Sequence, residues 1–137
     1  FLSEFDFPPD YRDGLCGLNK LMVILLKRAY EPPGPDDGFR VLVDRLWPRG
    51  VSKDAAQIDW WFKDIAPSPS LRKWFGHDPL KWDEFRKRYF QELDQNPEAV
   101  GQLVEHLRRG PVTLVYGAKD TAHSHALALK TYLEDLT

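Results

Sequence analysis

The chain has few sulfur-containing residues and no long apolar run. Cys16 and Met22 are its single cysteine and methionine among 137 residues. One cysteine excludes an internal disulfide framework and a cysteine-rich zinc site. The longest apolar run, residues 21–26, is far shorter than the roughly 20 residues of a membrane-spanning helix. The acidic, proline-containing N-terminus does not match a secretory signal. We therefore expect a cytoplasmic protein without a membrane partner.

The chain also lacks a strong excess of either charge. Its 19 Lys and Arg residues are balanced by 21 Asp and Glu residues, giving a net charge of −2. This balance argues against a broad polyanion-binding surface, and so against nucleic acid as a partner, but it is compatible with a local basic pocket. A chain that is 42% hydrophobic and 29% charged is typical of one globular domain of this length.

Residues 1–21 show no hydrophobic periodicity and are rich in Pro, Gly and Asp. We expect them to be an N-terminal extension outside the core fold, either non-native or disordered, with one domain over residues 22–137. The alternative is an ordered arm, since three phenylalanines and a tyrosine in this stretch could pack against the domain.

Three runs are predicted to form strands: residues 22–28, residues 39–46 and Val112–Tyr116. Each is apolar and bounded by loop residues, and residues 31–38 contain three prolines and two glycines, which excludes regular structure there. The third run lacks alternation, which is typical of a strand buried in a parallel sheet.

Helix-capping residues predict helices between the second and third strands and after the third. The predicted starts are Ser52, Ser68, Asp78, Asn96 and, for the last helix, Asp120 or Thr121. In the first helix, the apolar residues from Ile58 to Ile65 recur at spacings that fit one helical face. The order of elements predicts a single-domain α/β fold with a small, mainly parallel sheet covered by helices.

Functional side chains are concentrated where two predicted strands end. Ligands of open α/β sheets bind beyond the carboxyl ends of the strands. After the second strand come Arg45, Trp47 and Arg49, and arginine forks suit phosphate or carboxylate. Asp44 is a candidate acid or base there, although an acid beside an arginine is often only an ion pair. Trp47 fits a core role better than a ligand contact on the residues alone.

The loop after the third strand is the second candidate. Tyr116, Gly117, Lys119 and Asp120 lead into a helix, where free amides and the helix dipole favour an anion. The phosphate-binding pattern G-x-x-x-x-G-K-[ST] and the dinucleotide pattern G-x-G-x-x-G are both absent, and we expect no cofactor.

The histidines suggest proton transfer better than metal binding. His123 and His125 are two residues apart at a helix start, so we expect them to point to different sides, and we expect no metal site. His125 could act as a general acid or base. His77 precedes Asp78 and Pro79, where a hydrogen bond within the turn is the simpler role.

The motifs V-L-V-D-R-L-W-P-R-G (41–50), L-R-K-W-F-G-H-D-P (71–79), V-T-L-V-Y-G-A-K-D (112–120) and H-x-H-A (123–126) resemble those of the YeaO-like family. These are small prokaryotic proteins classed as a domain of unknown function. The resemblance covers nearly all of residues 22–136, although Ser124 stands where Asn is expected. It implies an α/β fold and a cytoplasmic protein, and no established reaction.

Two functions are compatible with these residues. In the first, the domain binds a small anion, phosphorylated or nucleotide-like, and whether it turns the ligand over is left open. The anion would be held by Arg45, Arg49, Arg72 and Lys119; protons would be handled by Asp120, His125 or His77; a planar group would stack on Trp47 or Tyr116. In the second, the Trp- and Arg-rich segments form a non-catalytic regulatory or protein-interaction surface, and a homo-oligomer is compatible with either.

Overall fold

A computed structural model describes residues 22–136. Within them, four strands form one all-parallel sheet in the order β1, β4, β2, β3. The strands are β1 Ile24–Arg28, β2 Phe39–Leu42, β3 Trp60–Trp61 and β4 Val112–Tyr116. The predicted α/β fold with a parallel sheet is therefore confirmed. The predicted N-terminal extension lies outside the described residues.

Five α-helices accompany the sheet in the described part of the chain. They are α1 Lys53–Ala56, α2 Pro69–Phe75, α3 Trp82–Asp94, α4 Pro97–Arg109 and α5 His125–Glu134. Three short 3-10 turns, Lys63–Ile65, Pro79–Lys81 and Thr121–His123, precede α2, α3 and α5. No helix in this part of the chain is long and apolar enough to cross a membrane.

The central strand β4 organises the core. All five of its residues are buried, and it pairs in parallel with β1 on one side and β2 on the other. Its apolar, β-branched sequence fits this position, since both faces of a central parallel strand are covered. Residues from helices α2 to α5 complete the main core with Val41, Leu114 and Tyr116. A smaller cluster contains Leu42 and Val115.

The predicted caps set the ends of α2. The Ser68 hydroxyl accepts a hydrogen bond from the Leu71 amide at 3.2 Å, Pro69 occupies the first helical position, and Gly76 ends the helix at a φ of 55°. These ends matter for function because they fix the last turn of α2. On α3, Phe85, Tyr89 and Leu93 are buried along one side of the helix.

The predicted helix over residues 52–65 is wrong beyond Ala56. Gln57 takes a left-handed φ of 48° and ends α1, and the Phe62 amide donates to the Leu42 carbonyl, so the chain returns to the sheet as β3. Within β3 and the residue after it, the side chains alternate between the two faces of the sheet. Trp60 and Phe62 stack on each other at 3.9 Å, while Trp61 between them packs against the smaller cluster.

A buried ion cluster ties the loop before β2 to the sheet. The Arg40 guanidinium lies 2.6 Å from the Asp37 carboxylate and donates twice to the Ala56 carbonyl. Lys27 approaches the other Asp37 oxygen at 2.8 Å. Burial alone would raise the pKa of Asp37, but hydrogen bonds from Lys27, the Gly34 amide and Arg40 outweigh it and hold the pKa below its usual value.

Replacing Arg40 by Met should lower the free energy of unfolding by about 3 kcal/mol, because breaking a buried pair leaves one charge without its main partner. Urea denaturation measures this loss. Arg108→Ala is the matched control, since Arg108 lies 3.9 Å from Glu105 on the surface and should cost less than about 1 kcal/mol. Equal losses in the two variants would contradict the structural role of Arg40.

His106 should make stability depend on pH. It stacks on Phe39 at 4.2 Å, and burial, helped by the charge of Arg109, lowers its pKa. The folded state then binds the proton less readily than the unfolded chain, so stability present above about pH 6.5 is lost as the pH falls through the folded pKa.

His106→Phe keeps the ring and removes this titration. The drop in unfolding temperature between about pH 7.5 and about pH 5.5 should be smaller in the variant than in the wild type. The other histidines are common to both proteins, so the difference isolates His106. The same drop in both would rule out the effect.

Candidate functional site

A cleft of about 700 Å³ opens at the carboxyl ends of β2 and β4. Residues 44–49 follow β2, residues 117–125 follow β4, and α2 closes a third side. A volume of this order is typical of small-molecule sites. The lining comprises Tyr30, Asp44, Leu46, Trp47, Pro48, Arg49, Pro67, Pro69, Arg72, Lys73, Phe75, His77, Phe85, Gly117, Ala118, His123, Ser124 and His125.

The Asp44 carboxylate joins the two strand ends. Its Oδ2 accepts a hydrogen bond from the Gly117 amide at 2.8 Å, and its Oδ1 lies 3.0 Å from His125 Nε2. Oδ1 is buried and has no hydrogen bond of acceptable geometry within residues 22–136, so its contact with His125 is a short approach and not a formed hydrogen bond. A carboxylate of the protein therefore accepts from the Gly117 amide, in the loop whose free amides are predicted to favour a ligand anion.

His125 is held by two acceptors. Its Nε2 lies 3.0 Å from the Val43 carbonyl and 3.0 Å from Asp44. Because both neighbours are acceptors, Nε2 must carry the proton and donate it to the Val43 carbonyl. His125 lines the cleft. Its Nε2 is bonded to the Val43 carbonyl, and this bond joins the start of α5 to the end of β2.

A second carboxylate orients a second histidine. His123 Nδ1 lies 2.8 Å from Asp120 Oδ2, and the imidazole meets the Trp82 ring edge-on at 5.4 Å. The hydrogen bond with His123 is the largest cause of the lowered pKa of Asp120. Asp120 also caps the 3-10 turn by accepting from the Ala122 amide. His123 itself lines the cleft.

The two histidines thus line one cleft, although their spacing predicts opposite sides. That prediction assumes a continuous helix. Here His123 ends a 3-10 turn, Ser124 is extended with a ψ of 149°, and His125 begins α5, so the backbone turns between them. In the described chain, no group of three His, Cys, Asp or Glu residues is placed to hold a metal ion.

Three permanent cations line the cleft. Arg49 follows β2, and Arg72 and Lys73 lie in the last turn of α2. Among the described lining residues, Asp44 is the one carboxylate, so fixed positive charge exceeds fixed negative charge.

Glu92 of α3 holds the start of α2. Its carboxylate accepts from the Ser68 hydroxyl at 2.6 Å and from the Ser68 amide at 2.9 Å.

Aromatic rings line the same cleft. Trp47 donates from its indole nitrogen to the Val51 carbonyl at 2.6 Å and meets Trp61 edge-on at 5.4 Å. Tyr30 is half exposed and donates to the Arg49 carbonyl at 2.9 Å. Trp47 therefore combines the packing role that the sequence favoured with a position on the cleft wall, and Tyr30 steadies the loop that carries Arg49.

The structure brings Trp47, Arg49, Arg72, His77 and His125 together as predicted site residues. His77 is exposed, with a left-handed φ of 57°. Four further predictions, Arg45, Tyr116, Lys119 and Asp120, are not on the lining.

Each of these four has another position. Arg45 Nη2 approaches the Pro67 carbonyl at 3.4 Å. Tyr116 is buried at the end of β4, and burial raises its pKa. Lys119 is exposed, and Asp120 acts on His123 from outside the lining.

Sequence reasoning did not select Tyr30, Lys73 or His123 for the site. Lys73 had a local signal, since it neighbours Arg72 in the basic last turn of α2. His123 was set aside on the helical spacing rule, which does not apply across the extended Ser124. Tyr30 had no local signal, because only the fold of the chain brings it to Arg49.

The chain belongs to the family described as the inactive DUF488-N3 subclade. The family profile matches residues 23–137. The chain is also 43% identical over 115 residues to the uncharacterized protein YeaO of Escherichia coli K12, covering 84% of this chain and all of that protein. It is 44% identical over 110 residues to the uncharacterized proteins Mb3100c of Mycobacterium bovis and Rv3073c of Mycobacterium tuberculosis H37Rv, covering 80% of this chain and 92% of each.

These matches confirm the YeaO-like resemblance predicted from the motifs. No solved structure matches the chain.

Replacing Asp44 should test how the cleft is held. Asp44→Ala leaves the Gly117 amide and His125 without their carboxylate and should cost about 2–3 kcal/mol of unfolding free energy. Asp44→Asn should cost less, since an amide oxygen still accepts from Gly117. Chemical denaturation measures both, with the exposed Asp36→Ala as control. An Asp44→Ala protein as stable as Asp36→Ala would contradict this role.

Proposed function

We propose that the cleft binds a small anionic ligand, phosphorylated or nucleotide-like, and does not turn it over. The observation that carries the proposal is the convergence of Arg49, Arg72 and Lys73 on one concave site. Guanidinium groups bind phosphate oxygens in pairs, and a lysine adds a point charge.

The balance of fixed charge supports an anion as well. Asp44 accepts from the Gly117 amide and lies 3.0 Å from His125. Among the described lining residues, its single negative charge stands against the three positive charges of Arg49, Arg72 and Lys73. A ligand with one or two negative charges would complete the balance.

The form of the ligand follows from the rest of the wall. Trp47, Tyr30 and Phe75 offer apolar, planar surface beside the cations. Ligand sites commonly combine apolar walls with a few charged groups that fix orientation. We expect a phosphate or similar group on the cations and a planar or apolar portion against the rings.

The absence of turnover is proposed on two grounds. The family is described as an inactive subclade. In addition, two of the predicted acid or base candidates on the lining, Asp44 and His125, are already in contact with groups of the protein. We also infer a cytoplasmic location, in which the single cysteine of the chain would stay reduced.

The alternative interaction surface has less support. It requires the Trp- and Arg-rich segments to form an exposed apolar face. Instead, Trp60 stacks on Phe62, Trp61 and Trp47 pack together, and Trp74 carries the Arg88 guanidinium at 4.1 Å over its ring. These contacts favour a structural role for the tryptophans.

Binding is tested by following the unfolding temperature with increasing inorganic phosphate, nucleoside monophosphates and sugar phosphates, since a ligand of the native state raises it by mass action. At least one phosphate compound should raise the unfolding temperature. Arg49→Ala and Arg72→Ala should each weaken its binding by roughly 10-fold or more, the loss expected for one charge-assisted contact.

Lys87→Ala is the matched control, since it removes an exposed cation of α3 that does not line the cleft. Its affinity should equal that of the wild type. If no phosphate compound changes the unfolding temperature, or if all three variants lose affinity equally, the anion site is not in this cleft.

A further inference from the structure

The Asp120–His123 pair places a histidine with one unpartnered ring nitrogen on the lining of the cleft. His123 Nδ1 is 2.8 Å from the Asp120 carboxylate, so the nitrogen left for other partners is Nε2. His123 lines the cleft, and within residues 22–136 no hydrogen bond to its Nε2 is found. This separates His123 from His125, whose Nε2 is committed to the Val43 carbonyl.

The tautomer of His123 follows from its carboxylate partner. The lowered pKa of Asp120, caused chiefly by the His123 hydrogen bond, keeps that carboxylate ionised and able only to accept. Nδ1 must therefore carry a proton. In the neutral ring, Nε2 then presents a lone pair, which repels an anion; in the protonated ring, Nε2–H attracts it.

We infer that His123, oriented by Asp120, is a ligand-binding residue whose Nε2 takes up a proton from solvent as an anion enters the cleft. The inference rests on the proposed function, since it concerns the same anion. The proton is added to the Nε2 lone pair, while Nδ1–H stays with Asp120. The bound state then pairs an imidazolium with the ligand on one side and with Asp120 on the other.

The remaining charged groups around the cleft also affect how the anion affinity depends on pH. The ionisable groups on its lining, apart from His123, are Tyr30 after β1, Asp44 and Arg49 after β2, Arg72, Lys73 and His77 in and after α2, and His125 of α5. From α3, Trp82 packs against His123 and carries Arg86 over its ring at 5.7 Å. The permanent charges do not titrate near neutral pH, so a pH-dependent affinity must come from the histidines.

Inorganic sulfate is the probe, because its charge is constant across this range and any proton taken up must bind to the protein. Its dissociation constant is measured by titration calorimetry at about pH 5.5 and about pH 8, because sulfate also raises unfolding temperatures without binding. The same titrations in two buffers of different ionisation enthalpy count the protons taken up. Sulfate should bind the wild type roughly 3- to 10-fold more tightly at the lower pH, with net proton uptake near neutrality.

His123→Gln keeps a hydrogen-bond donor and removes the charge. It should lose most of the pH ratio while binding sulfate at about pH 8 nearly as well as the wild type. Asp120→Asn keeps an acceptor for Nδ1–H and the turn cap. It should move the gain in affinity to lower pH, because the imidazolium loses its counter-charge. His106→Gln removes a histidine outside the cleft and should keep the wild-type ratio.

The outcomes separate the two proposals. Sulfate binding with the same affinity at both pH values, or a His123→Gln protein that keeps the full wild-type ratio and proton uptake, overturns the inference and leaves the anion site standing. If sulfate binds at neither pH and no phosphate compound raises the unfolding temperature, the anion site is overturned and the inference with it.

Discussion

The cleft depends on the contacts that the Asp44 carboxylate makes with Gly117 and His125. It is the point where the end of β2 meets the end of β4, through Gly117, and the start of α5, through His125. Strands of a parallel sheet end on the same edge, but their loops need a specific contact to stay together. The Gly117 backbone fits this contact closely, since a Cβ there would lie 3.1 Å from the Asp44 carboxylate.

The internal carboxylate also explains the charge of the site. A strand end followed by a helix start attracts negative charge through its free amides. In this protein the Asp44 carboxylate provides that negative charge, because it accepts a hydrogen bond from the Gly117 amide. This amide is therefore no longer available to a ligand. The attraction for an external anion then comes from side chains farther out, Arg49, Arg72 and Lys73. The cations of the cleft are therefore arginine and lysine side chains, beside a strand end whose Gly117 amide is already bonded to Asp44.

Sequence patterns predicted the parts of the fold that depend on local chemistry. The buried strand β4 and the capped helix α2 follow from an apolar run and from capping residues. The prediction for residues 57–62 fails because both faces of this short strand are apolar, and such a run cannot be told from a helical segment by spacing alone. Only the paired sheet shows that Phe62 continues from Leu42.

The candidate site was predicted in outline by the rule that strand ends carry function. Arg49 could be selected because it follows a strand, and Arg72 and His77 stand in the motif of residues 71–79. The Asp44–His125 pair could not, since its two residues are 81 positions apart and meet only in the folded chain. His123 was missed because the extended Ser124 cannot be recognised from spacing.

A crystal structure of the protein soaked in selenate would show whether an anion occupies the cleft, because anomalous scattering from selenium locates the anion without ambiguity. We expect a selenate ion in the cleft, held by Arg49 and Arg72 and within hydrogen-bond distance of His123 Nε2. Selenate found only on the outer surface, with the cleft side chains pointing away from it, would rule out the anion site.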